Sequence, residues 1–134
     1  MRNLRPTMKL AGMAIACLAV TLPLVAQAPE LAMLGGLDRG GWELRLRSDG
    51  GTMPLCVRTG REFIQLRHRQ PACERFIVQD DAETVTVQYT CRGNGYGRTT
   101  IRRENPSLVQ IRSQGIQGGM PFSIEGEARK TGSC

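Results

Sequence analysis

An all-β fold is what this sequence predicts: an antiparallel meander forming a curved sheet or small barrel, with one short helix and two disulfides. Three observations lead there. Apolar and polar residues alternate with a period of two over 42–47 and again over 84–90, which turns one face of a strand to a core and the other to water. Clusters of Gly, Pro, Asn and Asp separate these runs. Four cysteines, Cys56, Cys73, Cys91 and Cys134, follow the N-terminal segment, and an even number in a small exported domain reads as two disulfides.

The first element in order is a targeting segment. Arg2, Arg5 and Lys9 precede an apolar stretch over 10–28 that ends in the small-residue triplet Ala26-Gln27-Ala28, the pattern of a cleaved signal peptide over 1–28. Pro29 is a poor residue to follow a scissile bond, so cutting after Ala26 is a second option. Gly12, Thr21 and Pro23 interrupt the run, whereas a membrane helix needs about 20 apolar residues, and no stable span is expected after cleavage. A lipidated Cys17 after Ala14-Ile15-Ala16 is the competing reading, and it would leave eleven further largely apolar residues behind it. Residues 29–40 hold four Gly and Pro with no sustained period and read as a flexible lead-in. One domain then occupies 41–134, a length that fits a single core.

Within that domain Trp42, Leu44 and Leu46 alternate with Glu43, Arg45 and Arg47 as a strand. Ser48-Asp49-Gly50-Gly51 supplies a turn, and 52–57 returns as the second strand of a hairpin. Thr59 and Glu62 form a capping box ahead of a helix over 61–69 that buries Phe63, Ile64 and Leu66 and stops at Gln70-Pro71. Phe76 and Val78 are expected to face Val85, Val87 and Tyr89 across a turn at Asp80-Asp81-Ala82, with Thr84, Thr86, Gln88 and Thr90 on the wet face. Asn94-Gly95 is a type I′ hairpin signal. Strands over 99–103, 108–113 and 121–130 complete the meander around a turn at Glu104-Asn105-Pro106.

Charge and composition bear on function mainly by exclusion. The chain has eighteen basic and twelve acidic residues, net +6; without residues 1–28 fifteen basic residues remain, fourteen Arg and Lys130, and the net charge is +3. Most lie near an acid in sequence, with no basic block or tail, and aromatic residues are 4% of the chain, so nucleic-acid binding is not expected. Cysteine spacings of 17, 18 and 43 contain no Cys-x-x-Cys pair, which argues against zinc and against thiol redox catalysis. Asp80-Asp81 reads as turn chemistry, since no further oxygen ligands follow at calcium-loop spacing. The glycines of Arg92-Gly93-Asn94-Gly95-Tyr96-Gly97 lack the Lys-Ser or Lys-Thr and the helix of a phosphate loop. His68, the one histidine, lies between Arg67 and Arg69 with no adjacent carboxylate to orient it, and reads as a surface or helix-capping residue. Glu125 and Glu127 share a strand face and read as solvent-facing.

A Gly41-Trp42-Glu43 strand, Cys56 before a short capped helix, Cys73 and Cys91 eighteen apart, a glycine-rich stretch after Cys91 and a terminal Gly132-Ser133-Cys134 together resemble the family called domain of unknown function 3617. The likeness covers nearly all of the chain after the signal segment, and it departs from the family pattern in lacking a Trp on the strand before Cys91. It implies a small exported bacterial protein with paired cysteines and no established activity.

Two cysteine pairings are open. Cys73 with Cys91 staples a hairpin about Ala82 and leaves Cys56 with Cys134; the alternative is Cys56 with Cys73 and Cys91 with Cys134. Matching Phe76 to Tyr89 sets Cys73 opposite Arg92, one residue off, so the first pairing needs a bulge or a strand end. The expected function is that of a non-catalytic binding or structural module of the cell envelope, periplasmic or secreted, with an envelope component or protein as partner and no metal or cofactor. A carrier of a small apolar ligand is second, and a hydrolase built on scattered carboxylates third.

Overall fold

The structure, a computed structural model, describes residues 30–134. The signal-peptide reading of 1–28 and the lipidation reading at Cys17 lie outside the described residues. A single helical turn, α1 (Ala32–Gly35), precedes β1 (Gly40–Leu46) and β2 (Thr52–Val57). A 3-10 turn (Arg61–Phe63) leads to β3 (Glu74–Asp80), β4 (Thr84–Cys91), β5 (Gly95–Asn105), β6 (Leu108–Gln117) and β7 (Met120–Gly132). All seven strands pair antiparallel in the order β2-β1-β7-β6-β5-β4-β3. β3 to β7 run as a meander, and β7 then pairs with β1, so the N-terminal hairpin closes onto the last strand. The sheet is open, with β2 and β3 as its edges. It is also strongly curved, because both edges line a single cleft over the segment that joins them.

Alternation decides what the curved sheet encloses. Trp42 and Leu44, Val85, Val87 and Tyr89, Ile101, Val109 and Ile111, and Ile124 and Ala128 point inward from their strands, and Phe63, Ile64 and Leu66 from the β2–β3 connection cover them. Trp42 meets Phe63 edge to face at 5.3 Å. Residues 30–39, read as a loose lead-in, contribute four buried side chains to the same core, Leu31, Met33, Leu34 and Leu37. Hydrogen bonds hold this end of the chain, among them Leu31 N to Asp80 Oδ2 at 2.8 Å, Asp38 N to Pro106 O at 2.9 Å, and Trp42 Nε1 to Asp38 O at 2.9 Å. The regular period that sequence reading looks for is absent because one helical turn is too short to display it.

The expected helix over 61–69 is a 3-10 turn followed by irregular chain. Only half of the expected capping box forms: Glu62 accepts from Thr59 N at 3.2 Å, but Gly60 is the N-cap of the turn and the Thr59 hydroxyl accepts from Arg61 N at 3.2 Å rather than from Glu62 N. Gln65 gives its amide to the carbonyls of His68 at 3.0 Å and Gln70 at 3.4 Å, which fixes the irregular chain that follows the turn. Phe63, Ile64, Leu66 and His68 are buried while Gln65, Arg67 and Arg69 are not.

Two corrections concern the β3–β4 hairpin. Phe76 and Val78 do not face the core; they are 70% and 41% exposed, and the inward positions belong to Cys73, Arg75 and Ile77. Near the turn the register is the expected one, with Gln79 opposite Thr86 and Asp80 opposite Val85. A bulge at Val78 then shifts it by one residue, to Ile77 opposite Val87 and Glu74 opposite Thr90. That shift brings Cys73 level with Cys91. The disulfides are Cys73–Cys91 and Cys56–Cys134. In the second, Cys56 of β2 reaches past β1 to the tail of β7, and Gly41 lies under the crossing, where a Cβ would stand 2.7 Å from the Ser133 carbonyl oxygen.

The β4–β5 turn also differs from expectation. Asn94 N donates to Cys91 O at 2.9 Å, so the turn centres on Arg92-Gly93 rather than on Asn94-Gly95, and positive φ falls at Gly93 and Gly95. Thr86, read as wet, is buried and pairs its hydroxyl with that of Thr100 at 3.0 Å.

Candidate functional site

His68 is buried in the core rather than exposed at a helix end. Its ring stands 5.3 Å from that of Tyr89 and 5.7 Å from that of Phe122. Nε2 lies 3.0 Å from the carbonyl of Asn94, which can only accept, so Nε2 carries the hydrogen, and Nδ1 accepts from the Tyr89 hydroxyl at 3.0 Å. Both nitrogens are thereby committed to structure. Thr99, also buried, donates to Ile64 O at 2.6 Å and receives the Ser113 hydroxyl at 2.7 Å, which fixes the same covering segment to β5 and β6.

Other side chains weighed from sequence are similarly occupied. Asp81 accepts from the backbone of Thr84 at 2.7 Å and Glu83 at 3.0 Å and from the Gln79 amide at 2.7 Å; these bonds, the Gln79 contact first, hold its carboxyl below the usual range. Glu125 lies 3.1 Å from Arg112 and 3.9 Å from Arg47, and Glu127 accepts from Gln110 at 2.9 Å and Arg129 at 3.0 Å. The Gln110 bond, then Arg129, lowers the Glu127 carboxyl. Among the described residues no group of three or more His, Cys, Asp and Glu is placed to hold a metal ion.

The glycine-rich stretch after Cys91 makes room for a ring. Tyr89, Gly97, Gly115 and Phe122 form one inward-facing row across β4 to β7, and a Cβ on Gly97 would collide with the Tyr89 ring. Bare backbone at the row's centre forms a trough for Tyr89, with His68 packed against Tyr89 and Phe122.

One arrangement was not evident from the sequence. The two sheet edges and the chain between them enclose an open cleft of about 460 Å³, with Pro54 and Leu55 of β2 on one side, Arg75 of β3 on the other, and Arg61, Gln65 and Arg69 along the connection. Arg75 occupies an inward position of its edge strand and is oriented by Gln65, whose Oε1 accepts from both Nε, at 2.7 Å, and Nη2. Partial burial and then the charge of Arg61 push the Arg75 guanidinium below its ordinary value. None of Arg61, Arg69 and Arg75 has an ion-pair partner among the described residues. The acid in the cleft, Glu62, is engaged by the amides of Arg58 and Thr59 and by the Thr59 hydroxyl.

A signal for this site was present as local charge asymmetry. Residues 58–75 contain five arginines against Glu62 and Glu74, net +3, which equals the whole excess of residues 29–134. The basic residues are interspersed in sequence and gathered in space by the fold.

Fold and site together define a disulfide-stapled antiparallel β module with a basic cleft where its sheet stays open. Comparison with protein-family models gives no match, and neither curated proteins nor solved structures yield one.

Proposed function

We infer that the chain is a non-catalytic binding module of the bacterial cell envelope, periplasmic or secreted after loss of residues 1–28, and that it binds through the cleft between β2 and β3. The observation that carries this reading is the set of three arginines lining one cleft, none of them in an ion pair among the described residues. Cations gathered in one cleft favour an anionic partner, because pairing offsets their mutual repulsion. A binding rather than catalytic role is supported by the commitment of His68 to the core and of Glu125 and Glu127 to arginines and Gln110. Two disulfides fit a non-reducing compartment, and among the described residues no helix is long and apolar enough to cross a membrane. The resemblance to the domain of unknown function 3617 family supports the same compartment.

The reading is tested by mixing disulfide-bonded protein with isolated bacterial envelope fragments at low salt. Wild type should sediment with the fragments and be released by salt, as an ionic contact requires. A substituted protein, Arg69→Glu, should be retained less while unfolding at an unchanged temperature. Equal retention of the two proteins, or retention of neither, overturns the proposal.

A further inference from the structure

We propose that the β2–β3 cleft is a phosphate-ester site, in which Arg61, Arg69 and Arg75 hold the phosphoryl group and Pro54, Leu55 and Leu66 receive the uncharged part of the ligand. This rests on the reading of the cleft as the binding site and adds the chemistry of what it binds.

Charge count favours phosphate over a single carboxylate. A phosphomonoester carries about −1.5 to −2 at neutral pH and presents three acceptor oxygens in tetrahedral directions. It can therefore receive N–H groups from more than one guanidinium, whereas a carboxylate is satisfied by one fork and leaves the other cations unrelieved. Repulsion between Arg61 and Arg75 is the cost that such a ligand removes. The Glu62 carboxylate makes no ion pair with these arginines, its oxygens being turned to the Arg58 and Thr59 amides and the Thr59 hydroxyl.

Arg75 is also prepared for the role. Nε and one hydrogen of Nη2 go to Gln65, leaving the fork of Nη1 and the second Nη2 hydrogen unused by that bond. Gln65 is itself anchored by its amide to the carbonyls of His68 and Gln70. The guanidinium thus stands on a layer of fixed hydrogen bonds that ends in the core, which lowers the ordering cost of binding. Leu55, Leu66 and the prolines on either side give the cleft an apolar wall, so the ligand is an ester with an organic body rather than inorganic phosphate alone. A soluble phosphate ester and the headgroup of a phosphomonoester lipid share this chemistry.

The experiment uses the disulfide-bonded protein and follows backbone amide shifts. The probes are glycerol phosphate, succinate and glycerol in solution, and vesicles of zwitterionic lipid with and without phosphatidic acid. Expected are saturable shifts confined to residues 54–75 with glycerol phosphate, with phosphatidic acid vesicles, or with both, and none with glycerol or zwitterionic vesicles. Response to the vesicles alone identifies a lipid source; response to the soluble ester identifies a soluble one. Arg69→Gln, whose side chain makes no intramolecular hydrogen bond among the described residues, should weaken binding about tenfold or more without altering thermal stability. Succinate binding as tightly as the ester, with the same loss in Arg69→Gln, overturns the phosphate assignment and leaves the anion-binding cleft standing. Shifts elsewhere on the sheet, or the same affinity in Arg69→Gln, overturn the site. No response to any probe, together with no retention on envelope fragments, overturns both readings.

Discussion

Tyr89 is held from two sides. Its ring lies over the backbone of Gly97, and its hydroxyl completes Nδ1 of His68 at 3.0 Å. Gly97→Ala should therefore act as an overpacking substitution in spite of its small size, costing about 1–3 kcal/mol as read by urea denaturation, because neither the β5 backbone nor the ring has room to retreat. Tyr89→Phe keeps the ring and removes the hydroxyl, leaving a buried nitrogen without its partner, and should cost about 1–3 kcal/mol. The same pair carries a pH signature. Burial raises the phenol above its usual value of about 10, with the Ser113 hydroxyl acting in the opposite direction, so the folded state keeps a proton that the unfolded chain releases. The corresponding stability is complete below about pH 10 and is lost as pH rises through the folded-state value. The gap in urea midpoint between wild type and Tyr89→Phe should narrow between about pH 8 and about pH 11. A constant gap would show that the phenol ionises equally in both states. The burial of His68 was not legible locally: its neighbours in sequence are Arg67 and Arg69, and what buries it are Tyr89 and Asn94 on the far side of β3.

The β3–β4 hairpin shows how a strand can be read correctly as an element and incorrectly as a face. Its outer register is the expected one, and the turn falls a residue later than expected, over Asp81 to Thr84 with Asp80 still paired in β3, set by local hydrogen bonds to Asp81 that sequence makes visible. The bulge at Val78 leaves no such mark, and one inserted residue exchanges the faces of everything beyond it, exposing Phe76 and turning Arg75 toward Gln65. The mismatch of one residue between Cys73 and Cys91 was the available clue. The two disulfides close loops of different span, with separations of 18 and 78 residues. On loop-entropy grounds replacing Cys73 and Cys91 together by Ala should cost about 3 kcal/mol, and replacing Cys56 and Cys134 about 4–5 kcal/mol. Guanidinium unfolding of the two double variants checks the order. The reverse order would mean that the edge staple does more than restrict the unfolded chain, holding β3 and with it Arg75 against the sheet.

At the scale of the whole molecule, strand identities and turns were legible while one pairing was not. Nothing in the alternation of 42–47 or 121–130 marks these strands as partners, because a period of two is the same whichever neighbour a strand takes. The consequence is large, since β7 pairs with β6 on one side and with β1 on the other, placing Trp42 level with Lys130 and Leu44 with Ala128. Without β7 the β1–β2 hairpin has no further strand to join, and an isolated hairpin is marginal in water. Cys56 also loses its partner, and the far side of the cleft loses the connection that sets β2 against Arg75. A chain ending at Gly119 should therefore lack a cooperative unfolding transition and full amide shift dispersion, even though six of the seven strands are present. A cooperative transition with the denaturant dependence of the full chain, which scales with the surface exposed on unfolding, would show instead that the meander folds on its own and that β7 only docks the N-terminal hairpin to it.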